Sequence, residues 1–352
     1  MPLGGKEHIE YDNPFDVGMT GGLLGFASGG YKAIKEADVL LMLGTDFPYS
    51  QFYPEDARVI QIDIRGGSHL GRRTPVDLGL VGSVKDTIDA LLPLLSRKAD
   101  RTHLDRSLHH YQRTRKSLDA LAVNDRDKTP IRPEYVAGVV NRLAHDDTVF
   151  TFDVGSPTIW AARYLTMNGR RRLTGSFTHG TMACALPHAI GAQTAHPGRQ
   201  VIALAGGDGG LAMLFGELLT LVQNKLPVKV IVFNNSSLNF VELEMKAAGV
   251  VNFGTELKNP DFGAVAQAIG IFGRRVEHPP ADLEQAVADA LAHDGPALVD
   301  VVVARQELSI PPAISAEQAK GFTVYAIRTI LAGRADELLD LVSTNVARRI
   351  LD

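Results

Sequence analysis

The stretch VIALAGGDGGLAMLFGELLTLVQNKLPVKVIVFNN, residues 201–235, decides the predicted fold. It contains two short apolar runs, VIALA and VKVIVF, with a helical segment between them. Short apolar runs that end in glycine or a polar residue are typical of strands buried in a parallel sheet, and a helix between them makes a βαβ unit. The stretch therefore predicts two parallel strands whose following residues, Gly206–Gly210 and Asn234–Asn235, lie at the same edge of the sheet.

The same alternation of strands and helices extends along most of the chain. It predicts an α/β protein with two parallel-sheet α/β domains, the second with helices on both faces of its sheet. Strands are predicted at ADVLLMLGTDF, ARVIQIDI, TVFTFDVG and PALVDVVV, and the segment LVGSVKDTIDALLPLL is predicted to contain another strand followed by an amphipathic helix. Further helices are predicted at EYVAGVVNRLA, MLFGELLTLVQ, DFGAVAQAIG and ADLEQAVADALA, and a glycine-rich loop at GSFTHGTMACALPHAIGA, residues 175–192.

A charged segment separates the two α/β patterns. Residues 96–131 are dense in charged side chains of both signs and end among prolines, which is typical of a solvated helix and turn between domains. We therefore expect a first domain over 1–95, a helical linker over 96–131, a second domain over 132–304 and a C-terminal segment over 305–352. In the last segment Leu338, Val342 and Val346 form an apolar stripe beside Arg334, Arg348 and Arg349, which suits a membrane-surface helix or, more commonly, a helix packed on its own protein.

The composition excludes several classes of function. A charged fraction of 22% and a formal net charge of −4 give no electrostatic reason to expect nucleic acid. The single cysteine, Cys184, cannot form an intrachain disulfide or a thiolate-rich metal site. Because no apolar run is long enough for a membrane span and the N-terminus lacks the regions of a secretory signal, we expect a cytoplasmic protein.

The glycine cluster predicts a phosphate ligand. Glycines at the carboxyl edge of a parallel sheet allow close approach of a diphosphate, and a following helix offers free N–H groups. Two alternatives stay open: a simple tight turn, and a dinucleotide fingerprint formed by Gly207, Gly209 and Ala212. That fingerprint requires an acidic residue about 20 positions further on, where this chain has Asn234 and Asn235. Oxygens of Asp208 and Asn235 suit Mg²⁺ bridging to phosphate, although either asparagine alone could make an Asx turn.

The spacing of these residues resembles a known cofactor motif. GDG, 24 intervening residues and then NN is similar to the thiamine diphosphate-binding motif. Together with YDNPFDVGMTG, GTDFPYSQFYP, GSFTHGTMACALP, NNSSLNFVELEMKAAG and PPAISAEQAKGF, it makes essentially the whole chain resemble the pyruvate oxidases that use a quinone as electron acceptor.

The resemblance implies site residues in the second domain. Mg²⁺ would be held by Asp208, Asn235 and the backbone carbonyl of Ser237. Phe240 matches an aromatic residue that gates the active site in the family, with ordinary packing as the alternative. The implied thiamine diphosphate residues are Gly180, Thr181, Met182, Gly207, Asp208, Gly209, Gly210, Asn235, Ser236, Ser237, Leu238, Asn239, Phe240 and Val241.

The resemblance also implies an FAD site in the first domain. Small residues and backbone amides suit a flavin diphosphate, and an acid at a strand end suits a ribose hydroxyl. The implied residues are Gly18, Met19, Thr20, Gly21, Thr45, Asp46, Phe47, Pro48, Tyr49 and Asp63, each of which could otherwise be plain loop.

The implied activity is the oxidative decarboxylation of pyruvate to acetate and CO₂, with electrons passed through FAD to a quinone. The family is tetrameric, so the resemblance implies a homo-oligomer. The resemblance also implies peripheral membrane contact. Its members carry a further domain whose glutamate activates the cofactor; no match to that domain is seen here, so we expect the chain to be inactive alone. Two alternatives stay open: a carboligase such as acetolactate synthase, and a non-catalytic or split subunit completed by another chain.

Overall fold

The computed structural model describes residues 3–20, 29–122, 130–207, 209–277, 280–305, 307 and 316–349. The chain divides into two compact units, the first comprising Met1–Leu3 and Asn13–Arg115, the second Gly4–Asp12 and Lys116–Asp352. The division falls within one helix, Thr102–Leu121, in the segment predicted as a linker.

The first unit is built on a parallel sheet of three described strands, in the order β1-β2-β3. Its core is small, with Met42, Tyr53 and Val59 at the centre. Helix α4 begins at a side-chain cap, where Ser83 accepts a hydrogen bond from the backbone N–H of Asp86. The elements are α2 (Gly29–Lys35), β1 (Val39–Leu43), β2 (Arg58–Asp63), α3 (Gly66–His69), β3 (Leu78–Val81) and α4 (Val84–Leu91), followed by α5 (Thr102–Leu121), which continues into the second unit.

The first unit leaves apolar strand side chains open to water. Val39, Leu41 and Leu43 of β1 are exposed, as are Leu78 and Leu80 of β3. Only the middle strand β2 is largely buried. The described part of this unit therefore has an uncovered apolar sheet surface, which is unusual because buried faces are the rule for parallel sheets.

The second unit carries a larger parallel sheet of six described strands. Its elements are α1 (Lys6–Ile9), α6 (Pro133–Leu143), β4 (Val149–Phe152), α7 (Ser156–Tyr164), β5 (Arg172–Thr174), α8 (Ala185–Ala195), β6 (Val201–Gly206), α9 (Glu217–Gln223), β7 (Lys229–Asn234), α10 (Asn239–Ala247), α11 (Phe262–Ala268), β8 (Phe272–Val276), α12 (Pro280–Ala292), β9 (Ala297–Val302), α13 (Ala316–Leu331) and α14 (Ala335–Arg349).

The strand order is β5-β4-β6-β7-β9-β8, with every pair parallel. After β4 the chain runs outward to β5 and then returns to the other side of β4 as β6. This reversal opens a crevice beyond the carboxyl ends of β4 and β6. In open α/β sheets, ligands bind at such a switch point.

Helices cover both faces of this sheet, as predicted. Alternate residues of β6, including Val201 and Ala203, pack with α8, α9 and α11 in one apolar core. The intervening residues Ile202 and Leu204 face the other way and are also fully buried. The strands are thus apolar on both sides, which explains why they read as continuous hydrophobic runs.

The structure corrects several local predictions. The segment 175–192 is only partly loop, because α8 begins at Ala185. After the glycine cluster the chain forms a 3₁₀ helix over Leu211–Leu214 and then α9, rather than the single helix predicted over residues 213–223. Strands β5 and β8 and helices α7 and α10 were not predicted. Among the described residues, no helix is long and apolar enough to cross a membrane.

Candidate functional site

The carboxyl ends of β4, β6 and β7 bring the predicted second-domain segments together. Gly206 of β6 is the register partner of Phe233 of β7, so the glycine cluster and the asparagine pair are neighbours at one sheet edge. The backbone N–H of Gly207 donates to the carbonyl of Phe233 at 3.0 Å. A Cβ at Gly207 would lie 2.7 Å from the Cα of Asn234, so only glycine fits here.

A buried carboxylate, Asp153, anchors the start of the glycine cluster. It follows β4, and its two oxygens accept the backbone N–H groups of Ala185, at 2.8 Å, and Gly206, at 2.9 Å. Burial raises the pKa of Asp153, and the backbone N–H donors counteract part of that effect. A Cβ at Gly210 would lie 2.0 Å from this carboxylate. Asp153 thus ties α8 and β6 to the crevice at the switch point.

Gly209 is the point where the predicted cofactor segments meet. A Cβ there would lie 2.3 Å from the Cε of Met182 and 2.9 Å from Cδ2 of Leu238. The loop after β5, the glycine cluster after β6 and the turn after β7 therefore converge on one spot. Asp208 lies outside the described residues, so its predicted metal contact stays a prediction.

The two asparagines after β7 have different surroundings. Asn234 is buried; its Nδ2 donates to Asp300 at 2.9 Å and its Oδ1 accepts from Asn259 at 2.7 Å. Asn235 is partly exposed, and its Oδ1 accepts from the backbone N–H of Ser237 at 3.2 Å. Asn234 therefore links strands β7 and β9, whereas Asn235 makes an Asx turn at the sheet edge with lone-pair capacity remaining.

The turn after Asn235 is tightly fixed. Ser236 has φ +54°, the left-handed region that few non-glycine residues adopt. Backbone hydrogen bonds join Leu238 N–H to the carbonyl of Thr255, at 2.9 Å, and Leu257 N–H to the carbonyl of Ser236, at 3.1 Å. Ser237 is buried, and its hydroxyl donates to Glu242. This hydrogen bond joins the turn that is predicted to carry the third metal ligand to the helix that follows it.

Helix α10 begins directly after this turn. Asn239 accepts from the hydroxyl of Ser156 at 3.1 Å and donates to the carbonyl of Arg305 at 3.1 Å. Phe240 is partly exposed and Val241 is exposed. Asn239 is thus held by hydrogen bonds on two sides. The Phe240 side chain lies outside the deep core, so gating and ordinary packing both stay open as roles for it.

The loop over residues 180–184 is shaped by its backbone. Gly180 has φ +63° and Ala183 has φ +59°. The Thr181 hydroxyl donates to the carbonyl of Met182 at 2.9 Å, and the loop ends where Cys184 Sγ contacts the carbonyl of Phe152 at 3.2 Å. Burial raises the pKa of the Cys184 thiol, which therefore acts as a small core residue.

This donor set fits a metal-bound diphosphate. Gly207 and Gly210 admit no side chain, and the Asn235 amide and the Ser237 carbonyl offer hard oxygens that suit Mg²⁺. Among the described residues, no three His, Cys, Asp or Glu side chains converge as a metal site. The magnesium prediction accordingly rests on amide and backbone oxygens together with Asp208.

Two of the residues that the resemblance implies for FAD are carboxylates at neighbouring strand ends of the first unit. Asp46, after β1, pairs with Arg72 at 3.3 Å and Arg73 at 3.1 Å. Asp63, at the end of neighbouring β2, accepts from the Arg65 N–H at 2.8 Å and contacts His69 at 3.0 Å. Both carboxylates already have partners within the unit, so a ribose hydroxyl would have to share or displace them.

The remaining residues that the resemblance implies for FAD have varied surroundings. Phe47 and Tyr49 form an edge-to-face ring pair at 5.3 Å, Thr45 accepts a hydrogen bond from Gln61 through its carbonyl, and Pro48 is exposed. Gly18 has φ +90° beside the ring of Tyr111, followed by buried Met19 and Thr20. Gly21 lies outside the described residues.

Sequence reasoning missed Asp153 and Glu242. Asp153 had a usable signal, because it ends the apolar run TVFTF in the same way that glycine ends VIALA. Glu242 had only a local charge pair as a signal, the i, i+4 spacing to Lys246, because its partner Arg305 lies 63 residues further along the chain.

Comparison with known proteins gives two family matches. Residues 153–301 match the model described as thiamine pyrophosphate enzyme, C-terminal TPP binding domain, and residues 1–91 match thiamine pyrophosphate enzyme, central domain. Both models describe thiamine pyrophosphate enzymes, and together they cover more than half of the chain.

Three curated relatives illustrate the range of similarity. The Bacillus subtilis protein YdaP, named as thiamine pyrophosphate-containing, is 35% identical over 88% of this chain and 53% of its own length. Pyruvate oxidase of Lactiplantibacillus plantarum is 31% identical over 77% of this chain and 45% of its own. Acetolactate synthase large subunit of Porphyra purpurea is 30% identical over 88% and 52%. The chain spans about half the length of the curated relatives it matches.

Proposed function

The chain belongs to the thiamine pyrophosphate enzyme family, and from this premise we propose that its second unit binds thiamine diphosphate and Mg²⁺ at the carboxyl edge of the six-stranded sheet. In this proposal Asp208, Asn235 and the carbonyl of Ser237 hold the metal. Gly207, Gly209 and Gly210 surround the diphosphate, and residues 180–182 and 236–241 line the rest of the cofactor. When bound, thiamine diphosphate supplies the carbanion that attacks a carbonyl substrate.

The observation that carries the proposal is the convergence at Gly209. Met182 and Leu238 both lie within van der Waals reach of the space where its side chain would be. These residues come from loops after different strands, and the crevice they border is the switch point of the sheet. A glycine turn that only reversed the chain direction would not require Met182 or Leu238 to lie so close to Gly209.

For the reaction we propose oxidative decarboxylation of pyruvate to acetate and CO₂, with electrons passed through FAD to a quinone. The similarity to a pyruvate oxidase supports this choice. Phe240, partly exposed at the start of α10, is the proposed gate. FAD binding by the first unit is tested separately, by the flavin absorbance that remains with the purified protein after gel filtration.

A second candidate is a carboligase, favoured by the similarity to an acetolactate synthase large subunit over 88% of the chain. A third is a cofactor-binding subunit that works only with another polypeptide. Product analysis separates the first two, because acetate and acetolactate are chemically distinct. Turnover that appears only after addition of a second polypeptide would identify the third.

The cofactor site is tested by isothermal titration calorimetry of thiamine diphosphate in the presence of Mg²⁺. Wild-type protein is compared with Asp208→Ala and Asn235→Ala, and Asn224→Ala at the C-terminal end of α9 is the control. We expect binding by the wild type and the control and its loss in both site variants. Equal binding by all four proteins would contradict the assignment of the thiamine diphosphate and Mg²⁺ site.

A further inference from the structure

A buried carboxylate, Glu242 of α10, receives hydrogen bonds from four side chains. It is 1% exposed. Lys246 donates to one oxygen at 2.8 Å and Asn252 to the same oxygen at 3.0 Å, whereas Arg305 donates to the other at 3.3 Å. The fourth donor is the hydroxyl of Ser237 in the turn after β7.

We propose that Glu242 is a positioning residue for the metal-binding turn, acting through its hydrogen bond with the hydroxyl of Ser237. The inference rests on the proposed function, since it concerns the same Mg²⁺ site. It assigns Ser237 two separate tasks: its backbone carbonyl faces the metal, and its side chain anchors the turn from behind.

The turn needs such an anchor because its backbone is strained. Ser236 adopts φ +54°, which persists only where the surroundings over-determine it. On one side the turn is held by the backbone bonds between residues 236–238 and the strand-like segment 255–257. The bond from Ser237 to Glu242 holds it on the other side and ties it to the first turns of α10.

The charges around Glu242 fix the direction of this bond. Lys246 and Arg305 are ion-paired with the carboxylate, and the amide nitrogen of Asn252 donates to it as well. Because the carboxylate oxygens act as acceptors for these groups, the Ser237 hydroxyl is the donor in its own contact with Glu242. The orientation of the serine, and with it that of the peptide group that follows, is therefore set by a buried ion-pair cluster.

The test uses Ser237→Ala, which removes the hydroxyl and keeps the backbone carbonyl. Mg²⁺ is titrated by calorimetry in the presence of saturating thiamine diphosphate. We expect the Mg²⁺ dissociation constant to rise about five- to tenfold, the equivalent of one net hydrogen bond. The matched control is Thr148→Val, which removes another buried hydroxyl, one bonded to His145 and Gln200 just before β4, at the opposite sheet edge; it should leave Mg²⁺ affinity unchanged.

A second measurement needs no bound cofactor. In the ligand-free protein we expect the backbone amides of residues 236–238 to exchange hydrogen faster in Ser237→Ala than in the wild type or Thr148→Val. Unchanged exchange, unchanged Mg²⁺ affinity, or an equal loss in both variants would each overturn the positioning role. If the wild type itself binds no Mg²⁺ with thiamine diphosphate, the proposed function fails, and the exchange measurement still decides whether Glu242 orders the turn.

Discussion

Replacing Gly210 by alanine tests the close packing of the glycine cluster on Asp153. The backbone at Gly210 has φ −83° and ψ −66°, which any residue adopts, so alanine brings no conformational penalty. Its Cβ would nevertheless lie 2.0 Å from the Asp153 carboxylate and 3.0 Å from the carbonyl of Gly206. The carboxylate must therefore move by more than about 1 Å to reach an ordinary contact distance.

The cost of this movement follows from what Asp153 holds. Displacing its Oδ2 breaks the 2.9 Å hydrogen bond from Gly206 and leaves a buried N–H without its acceptor. That loss costs about 1–3 kcal/mol, and overpacking of the site adds about 1–3 kcal/mol. The alanine recovers about 0.4–1 kcal/mol by restricting the unfolded chain. We therefore expect the free energy of unfolding of the second unit to fall by about 1–5 kcal/mol.

The assay is urea unfolding followed by tryptophan fluorescence. The chain has a single tryptophan, Trp160, which is buried in α7, so the signal reports the second unit alone. The matched control is Gly191→Ala in α8, where a Cβ would meet nothing within 4 Å. It should stabilise the unit by about 0.5–1 kcal/mol because alanine favours the helix. If Gly210→Ala unfolds within about 0.5 kcal/mol of the wild type, the packing argument is wrong.

Three further outcomes are expected. Asn234→Ala should lower the free energy of unfolding by about 1–3 kcal/mol in the same urea assay, because buried Asp300 loses a donor. Asn235→Ala should leave that free energy within about 0.5 kcal/mol of the wild type, which a loss above 2 kcal/mol would contradict. Burial lowers the pKa of Lys229 to about 8, and the charge of Asp294 opposes this shift. Between pH 8 and the ordinary lysine pKa, the unfolded chain therefore binds more protons than the folded chain. The contribution of Lys229 to stability accordingly rises with pH over this range. The wild type should accordingly gain stability over Lys229→Met from pH 8 to pH 10, and a difference that stays constant or shrinks would argue against that pKa.

The predictable parts of the fold were those encoded by local patterns. The central strands β6, β7 and β9 are buried on both faces and read as continuous apolar runs. The edge strands β5 and β8 were missed because the former has only three residues and the latter carries Arg274 and Arg275. Helix α8 was predicted as part of a glycine-rich loop, yet its Pro187 lies in the first turn of the helix, where proline is tolerated.

The site was predictable only in part for a similar reason. Adjacent strand ends could be inferred from the parallel topology, which placed the glycine cluster beside Asn234 and Asn235. The different roles of Asn234 and Asn235 depend on Asp300, which lies 66 residues after Asn234 in the chain. Such a pairing has no local signal, because it arises only when β9 inserts next to β7.

The open apolar surface of the first unit links the stability of that unit to the concentration of any molecule that binds there. Val39, Leu41 and Leu78 present apolar area to water, and any apolar surface that covers them gains about 25 cal/mol for each Å² removed from solvent. A molecule that covers this surface only in the folded state would therefore raise the folded population of the unit as its own concentration rises. If that molecule is a second copy of the chain, dilution should lower the melting temperature of the first unit.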